Sequence, residues 1–387
     1  MTRSTITGTA PPGTDGTDSP GADPRAQDRR APGSPAATAP RAGRLAPWLI
    51  LALVLLAGSA VLALTIGPAD ITAAEVLGSA RHHVLTWLAD HGLAFLDPGE
   101  NPLSRIRDAI VWEGRAPRIF TAAAVGAGLA LSGAVMQAIT RNPLADPYLL
   151  GVSSGAALGA VAVLLLGFTL ALPLAAFIGA LAALGATLAL AGIGGRLTPS
   201  RTILAGIAVA QGASALVSFA IVASAQGDSY REIINWLLGS VAGASWSSVA
   251  IAVGALVVIG TVLLARARTL DAFTFGDTAA ASLGVHVTRT RWLLLTITAL
   301  LVGAMVAVSG SIGFIGLVVP HVVRLLLGAR HSRLLPVAAL VGAVFLLWAD
   351  TGARSFFAPS EVPVGILTAA IGAPVFAWLL LRTRSRT

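Results

Sequence analysis

The sequence predicts an all-α integral membrane protein with about ten transmembrane helices. Hydrophobic residues occupy 55% of the 387 positions, charged residues occupy only 11%, and the mean hydropathy is +0.81. Soluble globular chains carry about a quarter charged residues. Long stretches without a charged residue recur along the chain, and a helix needs about 20 apolar residues to cross a bilayer.

Charged residues separate the predicted spans. The charge-free window over 147–195 is long enough for two helices, and Gly167 to Pro173 supplies the break between them. The window over 292–323 is interrupted at 309–313 by Ser and Gly, so we expect one full span and a shorter second helix there. The predicted helices cover 48–67, 117–140, 149–167, 171–193, 200–224, 244–265, 290–309, 313–328, 333–350 and 363–381.

The first 44 residues differ from the rest of the chain. They are rich in Pro, Gly, Thr, Ala and Asp and have no apolar periodicity, which predicts a disordered tail. The apolar run after them is too long for the core of a signal peptide, so no cleavage is expected. We therefore expect a disordered tail over 1–44 and a transmembrane domain over 45–387.

Arginine positions predict the orientation of the spans. All 26 basic residues are Arg, and alternating spans with the N-terminus inside place 19 of them inside and seven outside. This bias follows the positive-inside rule, so both termini are predicted to be cytoplasmic. The outer segment 68–116 carries seven acids and several apolar stretches, which predicts short amphipathic pieces along the surface.

Missing residue types exclude several kinds of chemistry. Without Lys the chain has neither a P-loop lysine nor a Schiff-base lysine. Without Cys it has no thiolate metal site and no disulfide. Ionisable residues are almost absent from the span centres, where ion-coupled carriers usually need one. We therefore expect no metal, no cofactor and no nucleic acid on this chain, and an energy source on another chain.

The stretch RNPLADPYLLGVSSGAALGA (141–160) has two interpretations. It contains G-x-S-x-G around Ser153, which without a preceding strand is a weak hydrolase signal. An intramembrane serine hydrolase with His321 as base is the minor alternative. Gly151, Gly155 and Gly159 recur every four residues, which favours a small-residue stripe for close helix packing. The polar amide of Gln137 nearby is expected to make an interhelical hydrogen bond.

The inner segment RARTLDAFTFGDTAAASLGVHVTRTR (266–291) predicts a short helix. Gly276-Asp277 supplies an acidic start and Gly284 a stop, and Arg residues flank it on both sides. A short helix on the inner face is suited to docking on a partner protein. Binding to anionic lipid headgroups is the alternative, and composition alone leaves the two open.

Several longer motifs resemble the FecCD-type permeases, the membrane subunits of ABC importers for ferric siderophores, haem and cobalamin. Their order and spacing agree over 112–381, whereas 1–44 lies outside the resemblance and 68–111 matches loosely. The matching motifs are GRAPRIFTAAAVGAGLALSGAVMQ (114–137), RNPLADPYLLGVSSGAALGA (141–160), LAGIAVAQG (204–212), NWLLGS (235–240), GDTAAASLGV (276–285), SGSIGFIGLVVPHVVRLLLGARHSRLLP (309–336) and EVPVGILTAAIGAPVFAWLL (361–380).

The resemblance implies the type II ABC importer permease fold in a prokaryotic cytoplasmic membrane. It implies a second permease subunit in a homo- or heterodimer, two ATP-binding cassette subunits that carry ATP and Mg, and an extracytoplasmic solute-binding protein. The chain itself is then a transporter subunit and not an enzyme. The expected cargo is a ferric siderophore, with haem or cobalamin as alternatives and a secondary carrier as a minor one.

The resemblance also implies roles for three groups of residues. Outer-face arginines that meet acids of the binding protein correspond to Arg115, Arg118 and Arg354, which the Arg count also places outside. The coupling helix that docks on the ATPase corresponds to 276–284, with Gly276, Asp277, Ala281, Leu283 and Gly284. The inner gate corresponds to Asn142 and Leu144 and to Thr198, Pro199 and Ser200, where Pro199 replaces the hydroxyl residue of some relatives.

Overall fold

The computed structural model describes residues 45–67, 69–92, 97–168, 172–193, 198–224, 227–356 and 360–384. Within these ranges every regular element is helical. The tail predicted over 1–44 lies outside the described residues.

Fifteen α-helices follow one another in the described ranges. They are α1 (Leu45–Thr65), α2 (Ala73–Asp90), α3 (Arg105–Ala109), α4 (Ala116–Thr140), α5 (Val152–Leu165), α6 (Leu172–Gly192), α7 (Pro199–Ser224), α8 (Asp228–Leu238), α9 (Trp246–Ala265), α10 (Ala267–Thr274), α11 (Asp277–Ser282), α12 (Val287–Ser309), α13 (Ile315–Leu327), α14 (His331–Ser355) and α15 (Val364–Arg384). A π-helix (Ile110–Arg115) joins α3 to α4, and a 3-10 helix (Pro147–Leu150) precedes α5.

All ten predicted spans are present, as α1, α4 to α7, α9 and α12 to α15. Seven helical stretches are long and apolar enough to cross a membrane, and the remaining three spans, α5, α13 and α15, are shorter apolar helices. Most predicted ends agree within three residues. The exception is α14, which continues five residues past the predicted end at Asp350, because an ion pair described below neutralises that acid inside the bundle.

Helix α4 forms the centre of the bundle. It is buried along almost its whole length and packs against α9, α12, α13 and α14. Glycines allow this close packing: a Cβ on Gly126 would overlap the Gly342 carbonyl of α14, and a Cβ on Gly133 would overlap the Gly316 carbonyl of α13. Such small-residue contacts are how helix backbones approach each other in lipid.

A proline in α13 explains one predicted polar contact. Pro320 has no N–H to donate to the carbonyl of Gly316, four residues earlier. The side chain of Gln137 on α4 donates to this carbonyl at 3.3 Å and to that of Leu317 at 3.1 Å. The interhelical hydrogen bond expected for Gln137 is therefore confirmed, and it satisfies a backbone group that the helix cannot satisfy itself.

The predicted outer segment contains helices α2 and α3. Helix α2 begins with a capping box between Thr72 and Glu75. Helix α4, predicted to begin at Pro117, is instead continuous with α3 through the π-helix. The wider π turn bonds the Ala116 N–H to the Val111 carbonyl and accommodates a proline that crowds the preceding turn.

Candidate functional site

A cavity of about 680 Å³ lies at one end of the bundle, between the end of α12, the start of α15 and helix α8. The positive-inside count predicts that this end faces the outside. Hydroxyl, amide and carboxylate groups dominate its polar lining, and none of the described residues that line it is an Arg. These polar groups are Glu232, Asn235, Ser240, Ser245, Ser247, Ser248, Ser309 and Glu361.

Backbone hydrogen bonds join the three segments around this cavity. The Ser240 N–H donates to the Ser309 carbonyl at 2.8 Å, and the Gly365 N–H donates to the Gly239 carbonyl at 3.1 Å. Gly239 has a φ of 75°, and a Cβ there would overlap the Ser311 carbonyl. Only glycine fits this position without strain, which explains why NWLLGS forms a fixed corner between α8 and α9.

A second junction ties the start of α5 to the loop between α12 and α13. The Tyr148 hydroxyl donates to the Ile312 carbonyl at 2.9 Å and accepts from the Ile312 N–H at 3.1 Å. The hydroxyl of Ser153 lies 2.8 Å from that of Ser311. The G-x-S-x-G serine therefore bonds to another hydroxyl rather than to an imidazole base, which favours the packing interpretation over a hydrolase.

The three glycines of the predicted stripe contact two different helices. A Cβ on Gly155 would overlap the Gly179 carbonyl of α6, and a Cβ on Gly159 would overlap the Ala175 carbonyl of the same helix. Gly151 instead precedes α5 with a φ of 76° and faces α7. Two of the three predicted packing glycines thus share one face, and the third serves as the N-cap of α5.

The structure places two of the three predicted docking arginines at the end of α1. Arg115 donates to the carbonyls of Leu64 at 2.7 Å and Thr65 at 3.3 Å, and Arg354 donates to the carbonyl of Ala63. Cations are favourable at the carbonyl end of a helix, so these two side chains cap α1. Docking on a binding protein stays a prediction for both.

Arg118 forms a buried cluster of charges with α14 and the start of α15. Its guanidinium donates to both carboxylate oxygens of Asp350, at 2.8 and 2.9 Å, and to Glu361 at 2.7 Å. The side chains of Arg118 and Asp350 are 8% and 2% exposed, whereas that of Glu361 is 50% exposed. The exposed charge of this cluster is therefore a carboxylate, and it belongs to the cavity lining.

The predicted gate residues lie in two separate turns. The Asn142 side chain accepts from the Leu144 N–H at 2.9 Å, and Leu144 is exposed. Thr198 caps α7 by accepting from the Arg201 N–H at 3.4 Å, with Pro199 and Ser200 in the first turn. No hydrogen bond within the described ranges joins the two turns, and residues 194–197 lie outside those ranges. The gate role stays a prediction.

The loop that follows Asn142 contains an acid with a shifted pKa. Asp146 accepts from the Tyr148 N–H at 2.8 Å and so caps the 3-10 helix. Burial raises the pKa of Asp146 to about 6, although this hydrogen bond acts in the opposite direction. The carboxyl therefore titrates near physiological pH.

The predicted coupling segment forms a helix-turn-helix at the opposite end of the bundle. Helix α11 begins after Gly276, whose φ of 98° requires glycine, and ends before Gly284, whose φ is 83°. Ala281 and Leu283 are exposed, with Leu283 at 68%. The predicted helix is confirmed, and its role in binding an ATPase stays a prediction.

Comparison with known proteins identifies the family of this chain. The profile of the FecCD transport family matches residues 51–382. The chain belongs to the FecCD transport family.

Individual relatives of this permease cover most of its length. It is 41% identical over 360 residues to the cobalamin import system permease BtuC of Halobacterium salinarum, which covers 87% of this chain and 96% of the relative. It is 45% identical over 280 residues to the hemin transport system permease HmuU of Yersinia pestis, covering 70% and 83% of the two chains. The predicted resemblance is thus confirmed.

A solved structure confirms the fold. An inward-facing metal-chelate type ABC transporter superposes with a TM-score of 0.75 at 32% identity, covering 87% of this chain and 99% of the other. The permease therefore has the type II ABC importer fold that its sequence predicts. Within the described ranges no three His, Asp or Glu side chains converge as metal ligands.

Sequence reasoning missed the partners of the charged residues in this permease. Asp350 follows Arg118 by 232 positions, and no local pattern links them. The Asp271 carboxylate likewise accepts from both the backbone and the ring of His331, at 2.8 Å each, and so ties α10 to α14. The available signal was that Arg118 and Asp350 each border a charge-free window, which does not identify a partner.

Proposed function

We propose that this permease imports a ferric siderophore across a prokaryotic cytoplasmic membrane as one of two permease subunits. Two separate ATPase subunits bind ATP and Mg and supply the energy, and a solute-binding protein delivers the cargo. Both termini lie in the cytoplasm. The chain binds no cofactor and changes no covalent bond.

The lining of the outer cavity carries this proposal. Its serine hydroxyls and the Asn235 amide suit a chelate whose surface is rich in amide and hydroxamate oxygens. Glu232 and Glu361 add carboxylates to the lining, and Arg118 pairs with Glu361 from behind it. Haem is a flat apolar ring with two carboxylates and fits this lining poorly. The likeness to a metal-chelate transporter also supports a chelate.

Cobalamin is the second candidate, because the relative that covers 87% of this chain is a cobalamin permease. Cobalamin presents peripheral amides, and these suit the same hydroxyl-rich lining. The two candidates differ in the metal, so labelled cargo separates them.

The proposed mechanism is alternating access biased by nucleotide. The ATPase subunits close on ATP and move the coupling helix α11. The bundle then switches between a state open at the outer cavity and a state open at the gate turns around Asn142 and Thr198. The cargo passes between the two permease subunits, and the small, weakly charged lining lets it leave.

Docking of the binding protein is proposed for the end of the bundle where Arg115, Arg118 and Arg354 gather. Their internal contacts mean that an acid of the partner has to compete with helix carbonyls or with Asp350. Arg115→Gln removes the charge and leaves a shorter side chain that still carries N–H donors. We expect it to weaken binding of the co-purifying solute-binding protein, because the cation that would meet a carboxylate of that protein is lost. Unchanged affinity would remove Arg115 from the docking surface.

Uptake by intact cells tests the function. Cells with and without this chain receive a radiolabelled ferric hydroxamate siderophore, haem or cobalamin. We expect ATP-dependent uptake of the siderophore only in cells with the chain. Uptake of cobalamin alone would select the second candidate, and siderophore uptake that persists without ATP would favour a secondary carrier.

A further inference from the structure

Asp277, the first residue of α11, pairs with two arginines of this chain, and its side chain is 41% exposed. Its Oδ1 accepts from Nη2 of Arg291 at 2.8 Å and lies 3.9 Å from Nη2 of Arg141. Residues Arg141, Asp277 and Arg291 form what we call the Asp277 cluster. Arg141 belongs to the end of α4 and Arg291 to the first turns of α12, so one carboxylate joins three elements.

Arg291 is the fixed member of the cluster. It is 2% exposed, and its guanidinium lies over the ring of Phe273 on α10, 5.4 Å from the ring centre. A buried guanidinium with a carboxylate partner has little freedom to move, because separating the pair leaves charge in a poorly solvated place. Helix α11 is therefore held against α12 through Asp277.

Arg141 is the strained member of the cluster. Its backbone is left-handed, with φ 52° and ψ 34°, at the end of α4. The Arg141 N–H bonds to the Ala138 carbonyl and the Asn142 N–H bonds to the Gln137 carbonyl, which is the pattern of a Schellman motif. Glycine or asparagine is usual at this position, because other residues are strained in this conformation.

The side chain of Arg141 makes a contact that glycine could not make at this position. Its Nη1 lies 3.2 Å from where a Cβ on Gly276 would be, so the guanidinium lies directly over the glycine that starts α11. The next residue, Asn142, begins the gate turn. Backbone strain at a non-glycine residue is a starting point for a functional hypothesis, and here the strained residue stands between α11 and the gate turn.

We propose that Asp277 is a positioning residue that connects the coupling helix to the gate turn. When the ATPase displaces α11, the Asp277 cluster carries α12 and the end of α4 with it, and the turn that starts at Asn142 moves. This inference rests on the proposed function, in which α11 docks on an ATPase.

A double-mutant cycle tests the pairing in the complete transporter, in membranes of cells that make this chain. The variants are Asp277→Asn, Arg291→Gln and the pair, and uptake of a radiolabelled ferric hydroxamate siderophore or cobalamin is measured per ATP hydrolysed. We expect each single change to lower this ratio about tenfold, within the usual range of coupling between sites. The pair should lower it no further, since contacting residues are not additive.

Arg289 provides the matched control, because it is an exposed arginine two residues before Arg291 on the same helix. Asp277→Asn with Arg289→Gln should show additive effects. Immunoblots of membrane levels exclude loss of the folded chain, and Arg291→Lys, which keeps the charge, should retain most coupling. Additive effects for Asp277 and Arg291 would overturn the proposal, as would loss of the co-purifying ATPase in Asp277→Asn.

Arg141→Gly tests the link to the gate turn. Glycine relieves the left-handed backbone and removes the guanidinium, so the variant should be at least as stable as the wild type and yet lose coupling severalfold. Full coupling in Arg141→Gly would overturn the link. Absence of ATP-dependent uptake by the wild type would overturn the proposed function itself, and that result is distinct from any pattern among the variants.

Discussion

The buried pair of Arg118 and Asp350 leads to a quantitative prediction for Asp350→Asn. Asparagine keeps the shape of the side chain but removes the charge that accepts two hydrogen bonds from Arg118, at 2.8 and 2.9 Å. Removing one partner of a buried ion pair costs about 3–5 kcal/mol, because the other charge is left without compensation. Glu361 still contacts Arg118, so we expect the lower end, a loss of about 3 kcal/mol in the free energy of unfolding.

Glu361→Gln is the matched control, because it removes a carboxylate from the same arginine. The Glu361 side chain is 50% exposed, and pairs of this kind contribute no more than about 1 kcal/mol. Equilibrium unfolding in mixed detergent micelles, followed by the fluorescence of the eight tryptophans, measures both variants.

A double replacement distinguishes the effect of losing the whole ion pair from the effect of losing one of its residues. Arg118→Met with Asp350→Leu removes both charges and leaves apolar groups, and replacing a buried pair in this way is often neutral. We expect the double variant to be more stable than Asp350→Asn alone. Equal losses for Asp350→Asn and Glu361→Gln, or a double variant that is less stable than Asp350→Asn, would refute the reasoning.

Three further changes have expected outcomes in the same unfolding assay. Tyr148→Phe removes the partner of two backbone groups and should cost about 1–3 kcal/mol, whereas Tyr230→Phe, on an exposed ring, should cost almost nothing. Gly133→Ala should destabilise α4, while Gly185→Ala, which meets open space, should not. Asp146 has a folded-state pKa of about 6, above its ordinary value of 3.8, so the wild type should lose stability as the pH rises from about 4 to about 6. Asp146→Asn should abolish that loss, and a pH profile that matches the wild type would contradict the assignment.

The sequence predicted the membrane spans well, because apolar length and glycine breaks are local properties. Helix α14 shows where local information ended: its predicted end at Asp350 assumed that an acid marks the water, whereas Arg118 neutralises that acid inside the bundle. Helix α8 was missed because its mixed polar and apolar residues have no span-length apolar run. The turn at Gly239 after α8 also depends on a distant loop, because a Cβ at Gly239 would overlap the Ser311 carbonyl.

The sequence by itself determined that this chain lies in a membrane, that it contains no lysine for a P-loop, and which family its motifs resemble. These conclusions depend on composition and on short segments, and each segment can be interpreted without knowledge of the rest of the fold. Only the tertiary structure decided which charges meet. Arg118 pairs with Asp350, and Asp277 pairs with Arg291 and Arg141, because helix packing sets the distances between them. The free energy of a charge in a poorly solvated interior depends on its partner rather than on its neighbours in sequence.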